Sequence, residues 1–391
     1  MIDEKRIKGN LKTFSFPRLS GTQFEKKIFR IAKRKIEDLN LTPTVQQFKF
    51  TTFYSRVYPK ISLVLLFWFV LVMYLDINVI FTSINLITGF IVLLVFIAFT
   101  RSPEKTKKGK KLDSQNLFVK IPKISDENLN HSDAFPKNLD KTKNIFLFAH
   151  LDSKGQLLPI KIRVLFYKIW IVSYIFSLFF IVINSFISIN TNLLFTISGI
   201  FILGINFIAT SLISLNSTNN KSKGAIDDAS GLSCVMELLN YYSNPENRLR
   251  NFNLWFVFTG AEESGTMGIR NFYRYIQNLD RRKNYFINFD SIAKKAILYD
   301  NGLVNNKNFK SYQYILENKD LFSLEGAKKL YIGTYSDGIF LFNRKFHGLG
   351  IGDTSSYRYV HTIYDDVDKI NLTLLKKLCH FITLVLIDND Y

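Results

Sequence analysis

Two blocks of apolar residues, 61–100 and 169–213, decide most of what this 391-residue chain can fold into. Each is about twice the roughly 20 residues that one helix needs to cross a bilayer, so each reads as a pair of spans. In the first block Asp76 and Asn78 mark a turn, because a charge is costly at bilayer depth; the spans fall near 61–75 and 79–99. The second divides at the polar Ser-Ile-Asn-Thr-Asn of 188–192, giving spans near 169–187 and 193–213, with Lys168 at the entrance, where its long stem can reach water. Buried core helices are the competing reading, and uncharged stretches this long favour lipid instead. Residues 1–60 are highly charged and hold no early apolar run, so no signal peptide is expected.

The net charge of +19 is unevenly placed. Residues 1–60 hold 14 Lys and Arg against 5 Asp and Glu, and residues 101–123 hold 8 against 2, while the connections at 76–78 and 188–192 hold no Lys or Arg. Nucleic acid would account for such an excess, but both basic stretches border spans, so the positive-inside pattern is the better account. It places the soluble domain and both termini in the cytoplasm and implies no nucleic-acid partner. Lys161, Arg163, Lys168, Lys221 and Lys223 flank the second hairpin on the same side. Each hairpin leaves and returns to one side, so both can be insertions in a single soluble domain. That domain comprises residues 1–60, 101–168 with a basic linker at 101–111, and 214–391, interrupted by hairpins at 61–100 and 169–213. Cys234 and Cys379 make no disulfide framework and read as core residues.

Outside the hairpins the chain alternates helix and strand. Phe24, Ile28, Ile31, Ala32, Ile36 and Leu39 recur at helical spacing and predict an amphipathic helix over 22–39. Residues 144–149, 253–258 and 284–289 are continuous apolar runs of strand length, which suit a sheet covered by helices on both faces, and 231–242 forms a helix between them. Acids and histidines follow these runs: His150 and Asp152 after the first, Asp227 and Asp228 before the helix, Glu262 and Glu263 after the next strand, Asp290 after the last, and His361 further on. In open α/β sheets, residues just past the carboxyl ends of strands converge on one crevice. Histidine and carboxylate gathered there suit zinc. Singly, each has an ordinary explanation: a satisfied histidine, a helix cap at Asp227 or Asp228, a turn residue at Asp290. The recurrence at successive strand ends is what points to a metal site.

The motifs "AHLDS" (149–153), "GAIDDASG" (224–231), "EESGTMG" (262–268), "INFD" (287–290), "SDG" (336–338) and "HTIYDDVDKI" (361–370), in that order, resemble those of the di-zinc aminopeptidases and carboxypeptidases of family 28 of the metallopeptidases. The opening stretch 16–41 resembles that family's Gly-Thr and first helix. The resemblance implies a zinc-exopeptidase-like, three-layer α/β sandwich with a central mixed, mostly parallel sheet, here interrupted by two transmembrane helical hairpins. It implies two zinc ions per chain, held by His150, Asp227, Glu263, Asp290 and His361, with Asp227 bridging them, His150 and Asp290 completing one site, and Glu263 and His361 the other. Asp152 would orient His150. Glu262 would act as the catalytic base, moving a proton from a metal-activated water to the leaving amine.

The sequence departs from that pattern in three places. His150 and Asp227 lie 77 residues apart with the second hairpin between them, an insertion that would put the mouth of the site near the membrane surface. Gly338 stands where the family has His, and Ala293 where a Gly often follows. His131, His347 and His380 match no ligand position. Tyr357 and Tyr359 could line a pocket, though core packing accounts for them equally simply. The expected activity is a membrane-bound, zinc-dependent exopeptidase that removes N-terminal residues from peptides, with peptide and lipid bilayer as its partners. Two alternatives stand beside it: a glutaminyl-cyclase-like acyltransferase on the same fold, and a non-catalytic membrane-anchored binding module.

Overall fold

The computed structural model describes residues 1–75, 78–100, 102–105, 108–124, 143–187, 193–304, 306–327 and 335–390. Asp76, the 188–192 connection, His131 and residues 101, 106 and 107 of the basic linker lie outside the described residues. Two compact units are present: Met1–Phe50, Lys111–Gly155 and Asn219–Tyr391 form one, and Thr51–Lys110 with Gln156–Thr218 the other.

In chain order the elements are α1 (Glu4–Phe14), α2 (Gln23–Glu37), β1 (Thr44–Thr51), α3 (Tyr58–Leu75), α4 (Val79–Thr100), β2 (Lys111–Ile121), β3 (Lys143–His150), β4 (Gly155–Gln156), α5 (Ile160–Ile187), α6 (Leu193–Leu215) and β5 (Thr218–Asn219). They continue with α7 (Ser230–Ser243), β6 (Phe252–Thr259), α8 (Met267–Ile276), β7 (Asn284–Phe289), β8 (Ala296–Asn301), α9 (Lys310–Glu317), β9 (Phe322–Gly326), α10 (Asp337–Asn343), β10 (His347–Gly352) and α11 (Leu372–Asp390).

The first unit is built on an eight-stranded mixed sheet of order β1-β2-β6-β3-β7-β10-β8-β9. Its centre is parallel: β3 pairs with β6 and β7, and β7 with β10. Antiparallel pairs flank that centre, β2 with β6 and β8 with β10. The continuous apolar runs behave as two-sided strands should. Along β3, Ile145 and Leu147 join the core with α1, α2, α7 and α11, while Phe146 and Phe148 join the opposite core with α8 and α10. Strand β6 alternates likewise, Leu254 and Phe256 to one side, Trp255 and Val257 to the other. Helices cover both faces of this sheet because neither face is polar enough to meet water.

Helix α2 matches the amphipathic segment within two residues at each end, with Ile28, Ala32 and Ile36 buried and the Thr22 hydroxyl accepting from the Phe24 N–H. Its buried stripe also contains an acid, Glu25. Cys234 and Cys379 are buried and unbridged. His347 Nδ1 lies 3.2 Å from the Asn301 carbonyl, and His380 packs edge-on against Tyr314, so both are structural.

In the second unit, residues 53–75, 79–98, 160–183 and 196–215 form helices long and apolar enough to cross a membrane. Their outward side chains are apolar: Val79, Phe90, Ile175 and Phe201 are all exposed. A buried polar contact joins two of them: Asn206 Nδ2 donates to the Trp170 carbonyl at 3.1 Å and to Ser173 Oγ at 2.9 Å, tying α5 to α6. Asn78 caps α4 by accepting from the Phe81 N–H. The helices begin ahead of the apolar blocks, α3 at Tyr58 and α5 at Ile160 against 61 and 169, and the second unit takes in Thr51–Lys110 and Gln156–Thr218. Lys161, Arg163 and Lys168 are good helix formers, so they extend the apolar segment by helical turns instead of ending it.

Candidate metal centre

The carboxyl ends of the parallel strands deliver the donors. β3 ends on His150, which lies in register with Thr259 at the end of β6; the chain then turns through Gly260 and Ala261 into a single 3-10 turn carrying Glu262 and Glu263. β7 ends at Phe289, immediately before Asp290. Asp227 precedes α7, and His361 follows β10 by a short loop. The turn at 260–268 leaves no room for side chains at its glycines: a Cβ on Gly260 would lie 2.4 Å from Ser114 Oγ, and one on Gly268 would lie 2.4 Å from the Gly260 carbonyl. Four residues here adopt left-handed backbone without being glycine: Ala261 (φ 50°), Thr266 (φ 55°), Ser291 (φ 62°) and His361 (φ 65°). Such conformations concentrate at functional sites.

Two triads result. His150, Asp227 and Asp290 bring ligand atoms within 4.8 Å of one another, and so do Asp227, Glu263 and His361. Asp227 belongs to both. Its Oδ1 is 2.9 Å from His150 Nε2 and its Oδ2 is 3.1 Å from His361 Nε2. His361 Nε2 is in turn 2.9 Å from the buried Glu263 Oε1. All five residues expected as ligands therefore meet, and Glu262 sits beside them in neither triad.

Asp152 does more than stand behind His150. Its carbonyl lies 3.0 Å from His150 Nδ1 and its carboxylate Oδ1 3.6 Å away, while that carboxylate accepts from the backbone N–H groups of Glu262 (2.9 Å) and Glu263 (3.1 Å). One side chain thus holds the 262–263 turn against the end of β3. Asp228 accepts from the His150 N–H at 3.1 Å and from the Gly231 N–H at 3.0 Å, so it caps α7 and links that cap to β3. The Asp227–Asp228 peptide is cis.

Several further residues support the donors. Lys154 Nζ lies 2.5 Å from Glu263 Oε2. Glu25 accepts from the Ala261 N–H, the Gly21 N–H and Ser114 Oγ, fixing the residue just before the paired glutamates. Asp365 accepts from the Ile226 N–H at 2.6 Å. Asp337 accepts from Thr259 Oγ1 at 2.6 Å. At Gly338 a Cβ would stand 3.0 Å from the Asn288 Cβ, so a side chain there would press on Asn288. Tyr357 faces the centre: burial and then the Asp290 charge push its phenol up. Tyr359 instead stacks under Arg358 and Lys369.

Packing four carboxylates together sets them apart electrostatically. Burial would raise Asp227, but hydrogen bonds from His150 and His361 hold it well below the usual carboxylate range. Glu263, opposed by burial yet favoured by His361 and Lys154, falls to about 2. Burial raises Glu262 well above its ordinary value, and the neighbouring Glu263 and Asp337 charges add to this. Burial, followed by the Asp227 charge, lifts Asp290 to about 7. The sign for metal binding follows. Below about pH 7 Asp290 carries a proton that a cation must displace, and His150, which burial lowers but Asp152 and Asp227 raise well above its ordinary value, must give one up as well, so affinity weakens as pH falls. Zinc affinity measured against a competing chelator is expected to rise by about tenfold per pH unit below 7 for each proton displaced. An affinity unchanged between pH 6 and 8 would contradict this assignment.

Fold and donor set together define a helix-covered α/β domain whose strand ends gather histidines and carboxylates that could hold a metal. The sequence model of peptidase family M28 matches residues 209–385, a span that includes Asp227, Glu262, Glu263, Asp290 and His361 and begins after His150. Among solved structures, the chain is similar to an aminopeptidase from Aneurinibacillus sp. strain AM-1 (TM-score 0.53, 12% identity, covering 98% of this chain and 93% of that one). It is also similar to a zinc aminopeptidase from Bacillus subtilis (0.52, 13%, 98% and 94%) and to a glutaminyl cyclase from Fimbriiglobus ruber (0.51, 13%, 98% and 95%). At these identities the likeness shows a shared fold. No curated protein matches the chain.

Proposed function

We propose that the protein is a zinc-dependent exopeptidase integral to a membrane, acting as an aminopeptidase on peptides. The observation that carries this reading is the presence of Asp227 in both triads, one carboxylate oxygen facing each. Buried histidine and carboxylate donors gathered in two overlapping groups fit zinc. Asp227 would bridge two ions, with His150 and Asp290 completing one site and Glu263 and His361 the other. Zinc held there would acidify a bound water and polarise the scissile carbonyl.

The chain's own groups do the rest. Asp152 holds the Glu262–Glu263 turn by two backbone hydrogen bonds, so the Glu262 carboxyl is presented beside the donor set without joining it. Its raised proton affinity suits a general base, which must accept a proton and return it to the leaving amine. His361 and Lys154 keep that second glutamate ionised against its burial and ready to ligate.

A second reading is kept because a glutaminyl cyclase shares the fold. It predicts one zinc per chain and loss of ammonia from N-terminal Gln. The deciding experiment is digestion of a mixed peptide library, with free and blocked N-termini, by the detergent-purified protein with and without zinc, read by mass spectrometry. Zinc-dependent trimming confined to free N-termini is expected. Intact peptides from zinc-loaded protein would sink the exopeptidase reading, and ammonia loss would establish the cyclase.

The four long apolar helices support membrane integration, and the basic flanks a cytoplasmic catalytic unit. A cysteine placed at Asn190 is expected to react with an impermeant thiol reagent in whole cells, against a low background because Cys234 and Cys379 are buried. Labelling of a cysteine at position 391 instead would overturn the orientation.

A further inference from the structure

The loops that carry His150 and Asp227 are separated by the whole of α5 and α6, so chain continuity does little to keep them together. Arg18, in the segment between α1 and α2, lies wholly buried between them. Its Nε donates to the Leu151 carbonyl at 2.6 Å, one residue past His150. Its Nη1 and Nη2 donate to the carbonyls of Lys223 (2.7 Å) and Gly224 (2.9 Å), just ahead of Asp227, and Nη1 also reaches the Phe16 carbonyl at 3.2 Å. Ser153 Oγ accepts from the Arg18 N–H at 3.1 Å and donates to the Ser222 carbonyl at 3.3 Å, repeating the link between the same two loops. The fit is close. Gly224 has φ 59°, and a Cβ there would stand 2.5 Å from the Ser153 Cβ and 2.7 Å from Arg18 Nη1.

We infer that Arg18 is a positioning residue, a buried guanidinium that staples the His150 loop to the Asp227 loop and so holds two donors of the metal centre at ligating distance. This rests on the reading of His150 and Asp227 as ligands. The guanidinium is suited to the task because its donors diverge in a rigid plane and can satisfy carbonyls on separate strands of chain, which a lysine ammonium on one flexible stem cannot do. A buried charge with its donors filled by carbonyls is also costly to disturb from either side.

The test uses the full-length protein in detergent as wild type, Arg18→Ala, Arg18→Lys and Ser153→Ala. Zinc affinity is measured against a chelator, and hydrogen exchange is followed in metal-stripped protein. Arg18→Ala is expected to weaken zinc binding by about 10- to 100-fold, the range typical of groups that orient ligands. Exchange should rise in segments 150–154 and 222–228 while 253–258, in β6, stays protected. Methylguanidinium should restore part of the affinity to Arg18→Ala, and Arg18→Lys should remain impaired. Ser153→Ala should show the same two-segment exchange pattern to a smaller extent, and it carries the test if Arg18→Ala does not fold. Wild-type affinity and exchange in the Arg18 and Ser153 variants would overturn the staple, and so would a uniform rise that includes 253–258. A wild type that binds no zinc would instead defeat the ligand reading, leaving the exchange pattern to judge the staple.

Discussion

Glu262→Gln is expected to lower peptide hydrolysis by roughly 100- to 10,000-fold while leaving zinc content unchanged, since loss of a positioned general base usually costs that much. The prediction follows from a division of labour between adjacent glutamates. Glu263 lies within ligand reach of Asp227 and His361, and its carboxyl is held ionised at about 2 with His361 and Lys154 beside it. Glu262 belongs to neither triad, and burial raises its proton affinity. The amide of Gln keeps the size of the side chain and the backbone bonds to Asp152 but removes the basic oxygen. Metal analysis and turnover on the same preparation decide the point. Loss of zinc would make Glu262 a ligand, and retained activity would remove it from the chemistry.

Asp227→Ala is expected to empty both halves of the centre at once. Its two oxygens face different histidines, Oδ1 toward His150 and Oδ2 toward His361, and among the described residues it alone belongs to both triads. The matched control is Asp290→Ala, which lies in one triad and should spare zinc in the other. Zinc counted per chain after dialysis distinguishes the two variants, with activity lost in both. One tightly held ion in Asp227→Ala would show that the triads act independently.

The layout of this centre was legible wherever one residue type had to recur at a strand end. Runs such as 253–258 suit two-sided strands, and the donors lie at or just past the strand ends: His150 closes β3, Glu262 and Glu263 follow β6 after Gly260 and Ala261, and Asp290 follows β7. The supporting layer was harder to read because its bonds end on backbone carbonyls and N–H groups, which leave no residue pattern. Arg18 contacts four carbonyls and resembles any loop arginine in the sequence. Glu25 did leave a trace: it occupies the stripe of Ile28, Ala32 and Ile36, where an acid is misplaced unless something inside requires it. Ala261 N–H and Ser114 Oγ are that requirement. The start of α5 was misplaced for another reason, since hydropathy reports where lipid contact begins and helix propensity lets the helix run on through Lys161, Arg163 and Lys168.

The interruption between His150 and Asp227 also orders events during biogenesis. A ribosome elongating at about 5–20 residues per second completes β3 roughly 4–15 s before it reaches Asp227, and it makes α5 and α6 in that interval. His361 and the last strands come later still. If the helical pair enters the bilayer as it emerges, the nascent chain holds the membrane before it holds a complete donor set. Hydrolytic competence would then appear only after membrane delivery, so an unlocalised chain in transit could not trim the peptides around it.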